Sequence, residues 1–189
     1  MSRLLRFLLI VLSIVGVLLV LAAITSKLYR IPTSSMEPTL HCPKDSGNPG
    51  CLGDEADRIA VSKVVYKVRD PKREDIVAYE LSVRAARLCG APEGSTFVHR
   101  IIGVPGESVA VRNGVVFVDG RRLEEPYIEA GRRDRDSSPV RPITKDAYYV
   151  LGDNRARSCD SRVWGLVARD RLIGPRIATY WPWDRISIR

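Results

Sequence analysis

The sequence predicts a mainly β domain of short strands and long loops, preceded by one N-terminal transmembrane helix. Three observations predict it. Phe7 to Ile24 is an apolar run without a charge. Beyond it come short β-branched and aromatic runs punctuated by Gly, Pro, Asn and Asp, the pattern of strands and turns. No later segment shows a long helical apolar period, so helices are not expected to supply the core.

The first element is the apolar run. Its eighteen residues, at about 1.5 Å rise each, cover roughly 27 Å, close to the hydrocarbon thickness of a bilayer and longer than the apolar part of a cleaved leader. We read residues 1–6 as a cytoplasmic N-terminus, 7–26 as a retained signal anchor and 27–189 as one extracytoplasmic domain. The alternative is a removable leader, since Ala22 and Ala23 could serve a cleavage site. Charge does not fix the orientation, because Arg3 and Arg6 stand on one side and Lys27 and Arg30 on the other.

In chain order, Pro32 and Pro38 bracket a short non-helical segment, and Cys42 to Asp57 reads as a loop. Strands are expected at Ile59-Ala60-Val61, Val64-Val65-Tyr66 and Ile76-Val77-Ala78-Tyr79, the last after the turn signal Asp70-Pro71. Ser108 to Val118 predicts a hairpin, because Asn113-Gly114 between two β-branched runs suits a two-residue turn. Further strands are expected at Ala147 to Leu151 and Ile173 to Tyr180.

The net charge is +8, which suits an anionic surface. Nucleic acid is not the expected partner, because acids interleave the bases; in Gly131-Arg132-Arg133-Asp134-Arg135-Asp136 the signs alternate, as in a solvated loop. Cys42 and Cys51 flank a loop of turn-forming residues and are the first choice for a disulfide, with Cys89 a competitor and Cys159 the fourth cysteine. Two histidines, His41 and His99, without a paired C-x-x-C, argue against a metal site.

Chemistry concentrates in three places. Ile31-Pro32-Thr33-Ser34-Ser35-Met36-Glu37-Pro38-Thr39-Leu40 offers hydroxyls on a backbone stiffened by proline. A serine nucleophile also needs a base and oxyanion donors. Phe97-Val98-His99-Arg100-Ile101-Ile102-Gly103-Val104-Pro105-Gly106 and the polar stretch Gly152 to Gly165 could provide them.

With these motifs in this order, including Asp57-Arg58-Ile59-Ala60-Val61-Ser62-Lys63 and Gly-Asp-Asn-Arg-x-x-Ser-x-Asp-Ser-Arg-x-Trp-Gly, the chain resembles the bacterial type I signal peptidase (leader peptidase) family over nearly its whole length. The resemblance implies a β-rich catalytic domain on the outer face of the cytoplasmic membrane, Ser35 as nucleophile and Thr33 as an aid to the oxyanion hole. It implies Ile31, Pro32, Met36, Leu40, Phe97 and Val98 around shallow pockets for small side chains. Ser158 would orient the base, with Asp160 and Arg162 holding its loop and Asp153 and Arg155 structural at the site. The position that holds lysine in most bacterial members is His99 here, as in the histidine-using branch, where the base pairs with an aspartate; Asp160 is the corresponding candidate. Histidine needs no desolvation to accept a proton near neutrality. Lys63, the other candidate base, matches a position outside the catalytic pair.

The implied activity is endoproteolysis of exported preproteins after small residues, without a cofactor. Signal peptides, the lipid bilayer and, transiently, the secretion translocon are the implied partners. The rival readings are a membrane-tethered scaffold that kept the fold and lost turnover, and a self-cleaving repressor, which the anchor and the lack of a helix-turn-helix disfavour. Tyr180-Trp181-Pro182-Trp183 suits either an interfacial aromatic belt or packing of one Trp.

Overall fold

The computed structural model describes residues 3–188, except for six side chains in the first helix (Leu4, Leu18, Leu19, Leu21, Ala22 and Ala23). That helix, α1 (Arg3–Thr25), runs for 23 residues. Its described apolar side chains stand exposed, Phe7 at 63% and Leu12 at 66%. Among the described residues, no helix is long and apolar enough to cross a membrane.

Strand β1 (Ser26–Arg30) follows α1 directly and pairs with β2 (Arg58–Ser62). Helix α2 (Val65–Val68) replaces the strand expected at Val64-Val65-Tyr66. The Ser62 hydroxyl accepts from the Val64 and Val65 N–H groups, and this side-chain capping outweighs the β preference of two valines. Then come β3 (Ile76–Glu80), α3 (Val83–Leu88), β4 (Thr96–Gly103), β5 (Ser108–Arg112), β6 (Val115–Val118), β7 (Arg121–Arg122), β8 (Ser138–Pro142) and β9 (Ala147–Leu151). Helix α4 (Ser161–Trp164), β10 (Val167–Ala168), β11 (Leu172–Trp181) and β12 (Ser187–Ile188) close the chain. The hairpin forms as its sequence dictates, with Arg112 opposite Val115 and positive φ at both Asn113 (48°) and Gly114 (76°).

The strands form an eight-stranded sheet, ordered β1-β2-β11-β3-β4-β9-β10 with β12 on β11, and a four-stranded sheet β7-β6-β5-β8. Strand β3 divides the larger sheet's core by its alternation. Ile76 and Ala78 pack with Ile31, Met36, Leu40, Ile59 and Val61, while Val77 and Tyr79 pack with Ala85, Ala86, Ile101 and Val150. The fold therefore buries the segment around Ser35 against the strands that carry His99.

Cys42 and Cys51 are bridged, with Cα atoms 5.0 Å apart. Cys89 pairs with Cys159 across 70 positions of sequence, not with Cys42. The alternating segment Gly131 to Asp136 is no free solvated loop. Arg132 donates to the Gly50 carbonyl, Arg133 to Glu125, and Asp134 pairs with Arg162.

Candidate active site

Ser34 to Met36 form one 3-10 turn. Its position is held from a distant loop, because the Asn154 side chain donates to the Ser34 carbonyl (2.9 Å) and the Asn154 N–H to the Ser35 carbonyl (3.0 Å). On the other side the loop closed by Cys42 and Cys51 docks onto the same turn. Ser34 Oγ donates to the Pro49 carbonyl and the Asn48 side chain to the Pro32 carbonyl. Below it Glu37, fully buried, accepts from the Cys42 and Leu52 N–H groups and pairs with His41. Burial of such a carboxylate requires these partners.

The loop that grips Ser35 is itself anchored by ion pairs. Asp153 receives two bonds from Arg100 (2.8 and 2.6 Å) and one from the Thr39 hydroxyl. Arg155 donates to the Gly152 carbonyl and pairs with buried Glu125. Asp160 accepts from the Gly152 N–H, caps α4 through the Arg162 N–H and receives the Arg162 guanidinium at 2.8 Å. Gly152 has no room for a side chain: a Cβ would lie 2.5 Å from the Ser35 carbonyl and closer still to Ser158 Oγ.

His99 stands in mid-strand on β4, opposite Val77 of β3, with Tyr79 opposite Phe97. Its ring is buried at 1% exposure. Nδ1 shares a hydrogen bond of 2.7 Å with the Tyr79 hydroxyl, and Nε2 one of 3.2 Å with Ser158 Oγ. Phe97 meets the imidazole edge-on at 5.8 Å. Burial pushes the His99 pKa down to about 4, outweighing the upward pull of Asp160 and Asp153, while Arg162 adds to the lowering. The imidazole is therefore neutral at physiological pH.

One cavity of about 260 Å³ joins these parts. Ile31, Pro32, Thr33, Ser35 and Met36 line it from one side, and Phe97, Val98 and His99 from the other. It lies where β9 ends, since Leu151 pairs with Arg100 and β9 has no register partner for β4 residues 96–99. The Thr33 and Ser35 hydroxyls are 3.4 Å apart. No hydrogen bond joins Ser35 to His99 among the described residues.

Two expectations need correction. Leu40 is 1% exposed, packs in the core beside Ile59 and does not line the cavity. Asp160 is not the hydrogen-bonded partner of His99, because its oxygens are engaged by Gly152 and Arg162, and it reaches the imidazole only through its field. Lys63 lies at the end of β2, where its N–H donates to Thr25, and is absent from the cavity lining. Trp181 donates to Glu55, while Trp183 is 74% exposed. Tyr79 carries a part of the site that its sequence context does not announce, and Asn154 and Glu37 lie inside motifs that single out other residues.

The Ser35 hydroxyl and a neutral imidazole lie on one cavity, beside a second hydroxyl, and these are residue types that serine hydrolases use. The family description "Signal peptidase, peptidase S26" matches residues 4–181. A probable signal peptidase I-2 of Synechocystis is 38% identical over 84% of this chain and 64% of its own length. Signal peptidase I of Leptolyngbya laminosa is 35% identical over 83% of this chain and 70% of its own, and signal peptidase I T of Bacillus subtilis 30% over 84% and 75%. A solved signal peptidase I from Enterococcus faecalis is 28% identical with a TM-score of 0.45, over 57% of this chain and 97% of that one. The chain belongs to the signal peptidase, peptidase S26, family, and these relatives are bacterial type I members.

Proposed function

We propose that the chain is a membrane-anchored serine endopeptidase that removes signal peptides from exported preproteins after small residues. The observation that carries this reading is the cavity shared by Ser35 and a neutral, oriented His99. His99 Nε2 takes the Ser35 proton as Oγ attacks the scissile carbonyl; the same proton then passes to the leaving amine, and water hydrolyses the acyl-enzyme. Thr33 stands beside Ser35 to assist the oxyanion. Ser158 holds the Nε2 edge of the ring, and Ile31, Pro32, Met36, Phe97 and Val98 wall a space suited to small side chains. Asp153, Arg155, Asp160 and Arg162 keep the supporting loop in place.

The uncharged run in α1 and the exposure of its described apolar side chains support the anchor, with the domain outside the cytoplasmic membrane, where preproteins leave the translocon. The test is cleavage of a preprotein by the full chain in detergent micelles. Wild type should cut after a small residue, while Ser35→Ala and His99→Ala should be silent. Undiminished cutting by His99→Ala would overturn the assignment of the base. Protease added to intact spheroplasts should digest residues 27–189; protection of that region would overturn the topology.

A further inference from the structure

His99 lies deep in the fold with two ring nitrogens to satisfy, and a base needs them to be unlike. Nε2 can take a proton from Ser35 only when the resting proton sits on Nδ1. In many serine hydrolases a carboxylate on Nδ1 enforces that tautomer. Here the neighbouring carboxylates are otherwise employed: Asp160 is bound by Gly152 and Arg162, and Asp153 by Arg100 and Thr39. The group that reaches Nδ1 is the Tyr79 hydroxyl, at 2.7 Å.

We infer that Tyr79 is the positioning residue of the base: its phenol oxygen accepts the Nδ1 proton of His99, leaving Nε2 without a proton, so that its lone pair accepts from Ser158 Oγ at rest and is available for the Ser35 proton. This inference rests on the proposed role of His99. Several features make the phenol fit to hold the ring. Tyr79 is 1% exposed, its ring packs against Trp164 at 6.0 Å, and its backbone is locked in β3 opposite Phe97. Burial, with Asp160 nearby, keeps its hydroxyl neutral far above physiological pH. When Nε2 gains the Ser35 proton, the cation formed donates from Nδ1 to the same oxygen. A neutral acceptor stabilises that cation less than a carboxylate would, and so avoids burying a second charge.

The alternative is the opposite tautomer, with Tyr79 donating to Nδ1 and Nε2–H donating to Ser158. Imidazole ¹⁵N shifts distinguish the two without any enzymatic assay. The chain has two histidines, so His99→Ala assigns the spectrum by removing one set of signals. In the ¹⁵N-histidine-labelled full chain at pH 7, His99 should show a protonated Nδ1 and an unprotonated Nε2; a protonated Nε2 would overturn the inference. In the Tyr79→Phe protein, checked for folding by its melting curve, kcat should fall about 10- to 100-fold with KM unchanged. The acid limb should also move to lower pH, because the imidazolium loses its acceptor. The groups bearing on that limb are the Tyr79 hydroxyl from β3, Ser158 and the charges of Asp160, Asp153 and Arg162. Unchanged kcat in a folded Tyr79→Phe protein would overturn the inference while leaving the role of His99 to be decided by His99→Ala.

Discussion

Ser35 rides on a loop turn whose carbonyls are tied by Asn154 to a segment 120 residues away in sequence, whereas His99 stands in the middle of a strand, fixed by the register of β3 and β4. The first half of the site depends on loops gripping loops. The second depends on ordinary sheet pairing and burial. What joins them is Gly152, where a side-chain carbon would meet both the Ser35 carbonyl and the Ser158 hydroxyl that touches His99. A change there should therefore disturb both halves, while changes elsewhere should separate them.

The largest effect is expected from Gly152→Ala. A methyl group 2.5 Å from a backbone oxygen, and closer still to Ser158 Oγ, must displace one of them, and the backbone cannot yield as a flexible side chain does. Cleavage should fall at least about 100-fold, since misplacement by about 1 Å costs that much. The measurement is kcat/KM with a melting curve beside it. Near-normal turnover would show that the two halves do not share this wall.

Next comes Asp153→Asn, which leaves the buried Arg100 guanidinium without its counter-charge. Breaking such a pair costs roughly 3–5 kcal/mol, to be read from denaturant unfolding. The loss should be mainly one of stability, because Asp153 touches neither Ser35 nor the imidazole by a hydrogen bond. A folded variant with wild-type stability and no turnover would instead place Asp153 in the chemistry.

The same contrast explains what is legible in the sequence. Loop-held parts leave dense polar motifs, so residues 31–40 and 152–165 can be singled out as segments, while the choice of Ser35, Thr33, Ser158 and the Asp153 to Arg162 framework within them rests on the resemblance to the family. Strand-held parts leave only an apolar alternation. In Ile76-Val77-Ala78-Tyr79 nothing distinguishes a tyrosine that packs from one that meets a histidine, because the meeting depends on β3–β4 register. The pairing expected of Asp160 fails because spacing cannot tell a carboxylate aimed at a histidine from one aimed at Arg162 two residues on. The Cys89–Cys159 bridge, 70 positions apart, depends on how α3 packs near α4, whereas Cys42 and Cys51, closing their own turn, can be paired by proximity.

The smallest effect at neutral pH concerns the titration of His99, and it sharpens the contrast on the strand side. An imidazole free in water titrates near 6.5, and burial lowers His99 to about 4 in the folded chain. Between these values the unfolded chain binds the proton and the folded chain does not, so stability falls as the pH drops from about 6.5 to about 4. The shift corresponds to roughly 3 kcal/mol, fully present above about pH 6.5 and lost below about pH 4. Denaturant unfolding at a series of pH values should show this slope in wild type, and His99→Phe should flatten it by the same amount. Activity should follow the same ionisation: the acid limb, measured with a preprotein, should have its midpoint well below 6.5. Ser35→Ala is the control, since it removes turnover but leaves the histidine buried and the stability slope intact. A midpoint near 6.5 together with no histidine-dependent slope would mean that water or a carboxylate reaches His99, and that the strand-held half of the site is more open than its burial indicates.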